Sequence, residues 1–210
     1  GSKNDPALTL WNSLVAVLWK LGRSEEAERA IDHALPLAEH AGPKLQAATY
    51  NSAAMLRYQR GDAEGAAEFF LRNLAIFEAA GDPSATATSL SNLAECLRLT
   101  GRPDESEPLL RRAIRLAEEA GNQAKVARIQ GNLASALTAL GRIPEAKEAF
   151  VAAFGIWSGL QDIPFIGEGL NDLAVLAEAS GDREAALEFL AASASLLRQC
   201  GSSLDFYQDR

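Results

Sequence analysis

The sequence of 210 residues predicts an all-α solenoid of about five helix-turn-helix repeats, and three observations predict it. Glycine recurs at Gly22, Gly61, Gly101, Gly141 and Gly181, at spacings of 39, 40, 40 and 40 residues. A fixed period of that size marks an array in which one short supersecondary unit is stacked many times. Apolar residues recur at helical spacing on both sides of each glycine, and prolines stand where new helices should begin. The pattern points to a scaffold rather than an enzyme.

The elements follow in order. Upstream of each glycine, positions −11, −8, −7 and −4 are mostly apolar: Trp11, Leu14, Val15 and Leu18 in the first repeat, Leu90, Leu93, Ala94 and Leu97 in the third. That is the i, i+3, i+4, i+7 pattern of an amphipathic helix. Downstream, +5, +9 and +13 give Ala27, Ile31 and Leu35, then Ala66, Phe70 and Leu74, and similar sets thereafter. A second glycine series, Gly42, Gly81, Gly121 and Gly201, closes the second helix of four repeats, with Gln161 in the equivalent place of the fourth. Glycine takes the left-handed conformation that ends a helix at little steric cost. Pro43, Pro83, Pro103, Pro144 and Pro164 then suit first helical turns. Ten helices are predicted, at 6–21, 24–41, 44–60, 63–80, 83–100, 103–120, 123–140, 143–160, 164–180 and 183–200, with local bends at Pro36 and Pro108.

The repeats run over approximately 4–42, 43–81, 82–121, 122–162 and 163–201. Residues 1–3 read as a tag scar and lead, and 202–210 as a cap or a truncated next unit, as expected of a piece cut from a longer protein. No Gly/Ser-rich or charged linker interrupts the array, so it reads as one domain. A net charge of −8 disfavours nucleic acid and anionic membrane as partners. No run approaches the ~20 apolar residues of a membrane span, and no signal peptide is recognisable, so a cytoplasmic location is expected.

Chemistry-bearing motifs are sparse. Cys96 and Cys200 lack a motif, and Cys96 reads as a small buried residue beside the core stripe. His33 and His40 stand seven apart, not at the i, i+4 spacing of a helical metal pair. No phosphate loop, nucleophile elbow or zinc motif occurs, so no catalytic residue, metal or cofactor is assigned. The cluster Arg98, Arg102, Arg111, Arg112 and Arg115 is interleaved with Glu107 and Glu119 at i, i+4, the arrangement of a solvated helix face.

Asn-Leu-Ala at 92–94 and 132–134, the glycine eight residues after the leucine, the alanine five beyond it and the aliphatic or aromatic residue four further on resemble the tetratricopeptide repeat. The resemblance runs from about Leu8 to Gly201. The long period is similar to the repeats of kinesin light chains and of large bacterial regulators such as nucleotide-binding STAND ATPases. It implies a right-handed superhelix whose first helices line a concave groove. It also implies a protein- or peptide-binding scaffold, the sensor or assembly arm of a larger bacterial regulator. A small-molecule sensor using the same groove, or a self-assembly module stacking through its end repeats, are the alternatives.

The face opposite the core stripe of each first helix would line that groove. It offers one asparagine per repeat: Asn12, Asn51, Asn92, Asn132 and Asn171. A carboxamide donates and accepts at once, so a ladder of them can hold an extended backbone whatever its side chains. Trp19, Met55 and Tyr58 would make one end apolar and aromatic. Arg98 and Arg128 would place positive charge in the middle, and Glu168 and Asp172 negative charge at the other end.

Overall fold

The computed structural model describes residues 5–160 and 163–199, which form ten α-helices. They are α1 (Pro6–Lys20), α2 (Ser24–Ala38), α3 (Pro43–Gln59), α4 (Ala63–Ala80), α5 (Pro83–Leu99), α6 (Pro103–Glu119), α7 (Gln123–Ala139), α8 (Ile143–Leu160), α9 (Ile163–Ala179) and α10 (Arg183–Gln199). No strand occurs among the described residues. The expected lead at 1–3, the segment 202–210, and Gln161, Cys200 and Gly201 lie outside them.

The chain divides into two compact units, 1–101 with α1–α5 and 102–210 with α6–α10. Within the N-terminal unit each helix packs on the next, and α1 also touches α3. The C-terminal unit repeats the arrangement, with α7 touching α9. Within each unit the helices therefore pack on their neighbours in sequence, the defining contact pattern of a repeat solenoid.

The turns explain why helices end where they do. Gly22, Gly61, Gly101, Gly141 and Gly181 have φ between 69° and 82°, a region other residues enter at a cost. After Gly22, Gly61, Gly141 and Gly181 the next amide reaches back to a carbonyl five residues earlier, as Arg23 N–H does to Leu18 and Asp62 N–H to Arg57. Gly42 departs from the expectation. It is extended (φ −69°, ψ 154°) and caps the start of α3, while α2 stops at Ala38 rather than 41. Pro36 lies within the last turn of α2, where its missing N–H removes one of the few remaining bonds. His40 and Ala41 then bond only to Leu37 and Ala38, three residues back. Pro108 lies in the first half of α6, which continues through it.

After the turn glycine the chain uses one of two starts. Asp62, Asp82, Asn122 and Asp182 accept from the amide three residues on, at 2.9–3.1 Å. Where arginine stands instead, it forks onto a glutamate three residues later: Arg23–Glu26, Arg102–Glu105 and Arg142–Glu145. The arginines hold the Glu105 and Glu145 carboxyls below the ordinary carboxylate range, chiefly through these hydrogen bonds. That attraction is in place above the ordinary carboxylate pKa and is lost as pH falls through the depressed values. Being solvent-exposed, it contributes little.

Ala27, Ala66, Ser106, Ala146 and Ala186 are all buried at +5. At +9, Ile31, Phe70, Leu110 and Phe150 are buried, whereas Leu190 is exposed. Leu14, expected in the core stripe, is exposed as well. The C-terminal unit adds a feature that periodicity does not announce. The buried indole of Trp157 is stacked on Phe165 (8° between planes) and edge-on to Phe154. It needs two glycines to fit: a Cβ on Gly169 would meet the ring at 2.6 Å, and one on Gly131 at 3.1 Å. Gly131 is buried beneath this ring.

Gly169→Ala should therefore destabilise the chain by about 1–2 kcal/mol, overpacking outweighing the gain in helix propensity. Gly155→Ala, in α8 with nothing within 4 Å of the new Cβ, should stabilise by up to about 1 kcal/mol. Urea unfolding of the two variants checks the opposite signs.

Candidate functional site

In the N-terminal unit α1, α3 and α5 supply the expected groove face, and α3 stands between two hollows. The smaller, about 240 Å³, lies between α1 and α3 and is lined by Val15, Ala16, Trp19, Lys20, Asn51, Ser52 and Met55. Three residues singled out from the sequence, Trp19, Asn51 and Met55, thus meet there. Trp19 is half-buried, its ring packed against the core around Val15 and Leu18, so only part of it faces the hollow.

The larger hollow, about 570 Å³, lies where α3, α4 and α5 converge. Ala47, Ala48, Ile76, Phe77, Ala80 and Ala85 make most of it apolar, with Lys44 and Asp82 also on its lining. Asn51 borders this hollow too, and is exposed. Asn73 of α4 also lines it. That side chain is 2% exposed, and its Oδ1 accepts no hydrogen bond. A buried acceptor without a donor costs about 1–3 kcal/mol, which a ligand supplying an N–H would recover. Sequence reasoning missed Asn73 because it searched only first helices. Asparagine at an otherwise apolar stretch of a second helix was the available signal.

The other expected residues of this unit are partly committed to the protein itself. Asn12 is half-buried, its Oδ1 3.1 Å from the Thr49 hydroxyl, which is also 2.9 Å from the Leu45 carbonyl and shares one proton between them. Its Nδ2 is buried without a partner. Arg98 forks onto Glu95 at 2.6 and 2.9 Å, and Tyr58 donates to the same carboxylate at 3.4 Å. The positive charge expected from Arg98 is therefore neutralised within α5. Asn92, also on α5, is half-buried.

The C-terminal unit places Arg128 and Asn132 on α7 and Glu168, Asn171 and Asp172 on α9. Burial lowers the Arg128 pKa, and the attraction of Glu168 offsets part of that. The expected central cation and one carboxylate of the expected acidic end thus attract each other from α7 and α9, which touch. Asn132, Asn171 and Asp172 are half-buried and Glu168 is exposed.

Residues considered for chemistry have structural surroundings. His33 stacks on Trp11 with ring centres 4.8 Å apart. Arg102, Arg111 and Arg142 of the C-terminal unit are paired with Glu105, Glu107 and Glu145. Among the described residues no three His, Cys, Asp or Glu side chains group to hold a metal, and no helix is long and apolar enough to cross a membrane.

Comparison with known proteins agrees with this geometry. The tetratricopeptide repeat model matches residues 6–79 and 45–119, and a second model of the same repeat matches 127–150. The chain belongs to the tetratricopeptide repeat family. No curated protein matches it in sequence. Among solved structures it is similar to BtubC (BKLC) from P. vanneervenii, at 21% identity and TM-score 0.70, over 90% of this chain and 79% of that one. A putative kinesin light chain of nearly identical TPR-like repeats from Podosopora anserina gives 19% and 0.69, over 95% and 100%. YrrB, described as a TPR protein with an unusual peptide-binding site, gives 19% and 0.54, over 93% and 89%. At these identities the likeness establishes the fold.

Cys96 is fully buried in α5, and burial pushes its thiol up to about 12. Its alkylation by iodoacetamide at pH 8, followed by peptide mass spectrometry, should be about a hundredfold slower or more in the folded chain than in urea. Equal rates would contradict the packing of α5.

Proposed function

We propose that this chain is a non-catalytic protein-interaction module that holds an extended peptide along the first-helix face of its N-terminal unit, across α3. One observation carries the reading: the unsatisfied Asn73 acceptor in the larger hollow, bordered by the exposed amide of Asn51. Two hollows either side of α3 give successive ligand side chains separate places, and Asn51 stands between them. A carboxamide in that position bonds a peptide group in either sense, whatever the ligand's sequence. The apolar linings supply the affinity, and the buried acceptor supplies selection, since a ligand group without an N–H leaves it unpaired.

The arrangement suits the sensor or assembly arm of a larger cytoplasmic bacterial regulator, in which a bound segment reports on or recruits a partner. The peptide-binding description of YrrB supports this reading by analogy of fold.

Panning a displayed random peptide library on the chain should select binders. Asn51→Ala and Asn92→Ala should each weaken a selected peptide by about 1–2 kcal/mol in calorimetry, with unfolding unchanged. Unaltered affinity in both variants, or no peptide selected, would refute the assignment.

A further inference from the structure

The grooves between consecutive second helices are not alike. In the N-terminal unit Arg72 of α4 reaches Glu39, at the end of α2, at 3.1 Å. In the C-terminal unit two ion pairs cross between α6 and the start of α8, Arg142 to Glu107 at 2.6 Å and Arg111 to Glu145 at 3.7 Å. Long charged side chains of this kind lay their stems over the apolar surface below them.

One repeat on, the same positions read differently. Where Arg111 and Glu145 stood, the chain has Val151 and Ala185, and where Glu107 and Arg142 stood it has Lys147 and Asp182. Among the described residues no ion pair joins α8 to α10. The groove left open is a cleft of about 610 Å³, with Leu173 and Leu176 of α9 on its lining beside Phe150, Phe154 and Phe189. Phe150 and Leu176 are buried, and Phe154 is held edge-on by Trp157, so the apolar wall is already in place. Small-molecule sites occupy ~300–1,000 Å³ and combine such a lining with a few polar groups.

The polar groups here are Lys147, Ser180 and Asp182. Their counterparts Glu107 and Arg142 meet directly, so by repetition Lys147 and Asp182 share one end of the cleft. Asp182 Oδ1 accepts from the Ala185 amide at 3.1 Å, which leaves its second oxygen for a ligand. The Ser180 hydroxyl donates to the Leu176 carbonyl at 2.8 Å and keeps its lone pairs. A carboxylate placed there would meet Asp182, and an ammonium would meet Lys147. A hydroxyl or amide accepts from the lysine and donates to the carboxylate together.

We infer that the cleft between α8 and α10 binds a small uncharged amphiphile. Its alkyl or aryl body lies among the phenylalanines, and its hydroxyl or amide head lies between Lys147 and Asp182. The site uses residues of the C-terminal unit alone and none of the peptide face, so either proposal can fail without the other.

N-phenyl-1-naphthylamine, an uncharged apolar fluorophore, tests the site on the 210-residue chain. Its emission should rise saturably. Decanol should displace it at a concentration about tenfold below that of decanoate or decyltrimethylammonium. Val151→Arg with Ala185→Glu rebuilds the ion pair of the preceding repeat, and should weaken the probe about tenfold or more with melting like the parent. Val151→Arg alone, at a position 73% exposed, should act in the same direction. Leu71→Arg, at an exposed apolar residue of α4, should leave binding unchanged. A parent that does not bind the probe, variants at 151 that bind it as the parent does, or an equal loss in Leu71→Arg would overturn the site. Displacement by decanoate or the cationic analogue as readily as by decanol would overturn the uncharged head.

Discussion

Everything in this molecule depends on the contact between one helical hairpin and the next. A hairpin of two helices of 15–18 residues cannot enclose a core of its own. Its first helix has one side against its own second helix and another against the preceding hairpin. The alanines at +5 of the first, second, fourth and fifth repeats are buried where the two helices of each hairpin pack together. The larger +9 residues then fill the space toward the next repeat. With two sides committed to stacking, the remaining side of the first helix is the one left for other work.

That division explains how the candidate site is built. Asn51 projects from the uncommitted side of α3, and the flanking hollows exist because α1 and α5 stand beside it as separate ridges. Asn73 belongs to the layer beneath, on a second helix, and lines the larger hollow where α3, α4 and α5 converge. Binding elements of this kind are cheap to vary. Exposed side chains on the free side can change without disturbing the stack, whereas Ala66 or Phe70 cannot.

The sequence made the hairpins and their order legible because the period is enforced by packing. Ala27, Phe70 and Leu110 recur at fixed offsets since each meets an equivalent neighbour. The turn glycines were legible for the same reason, each requiring a left-handed backbone. Gly42 misled, because Pro36 shortens α2 and converts that glycine from the end of one helix into the cap of the next. Leu14 misled because a core position in a repeat is defined by its neighbour as much as by its own helix. The site was harder still. Periodicity gives the side on which Asn12, Arg98 and Arg128 stand, but not their companions. Thr49, Glu95 and Glu168 engage them across turns or between helices, contacts that only three-dimensional placement fixes. The Trp157 wedge is specific to one repeat and has no periodic signature.

The central claim is that ligand lies on the free side of the first helices of the N-terminal unit. Nuclear magnetic resonance of the ¹⁵N-labelled chain with a bound peptide tests it most directly, by showing where the peptide lands. The account predicts that the side-chain amide signals of Asn51, Asn73 and Asn92 move together with the backbone amides of Ala48 and Ala85. Changes confined to the apolar cleft lined by Phe150, Phe154 and Phe189 of the C-terminal unit would contradict it.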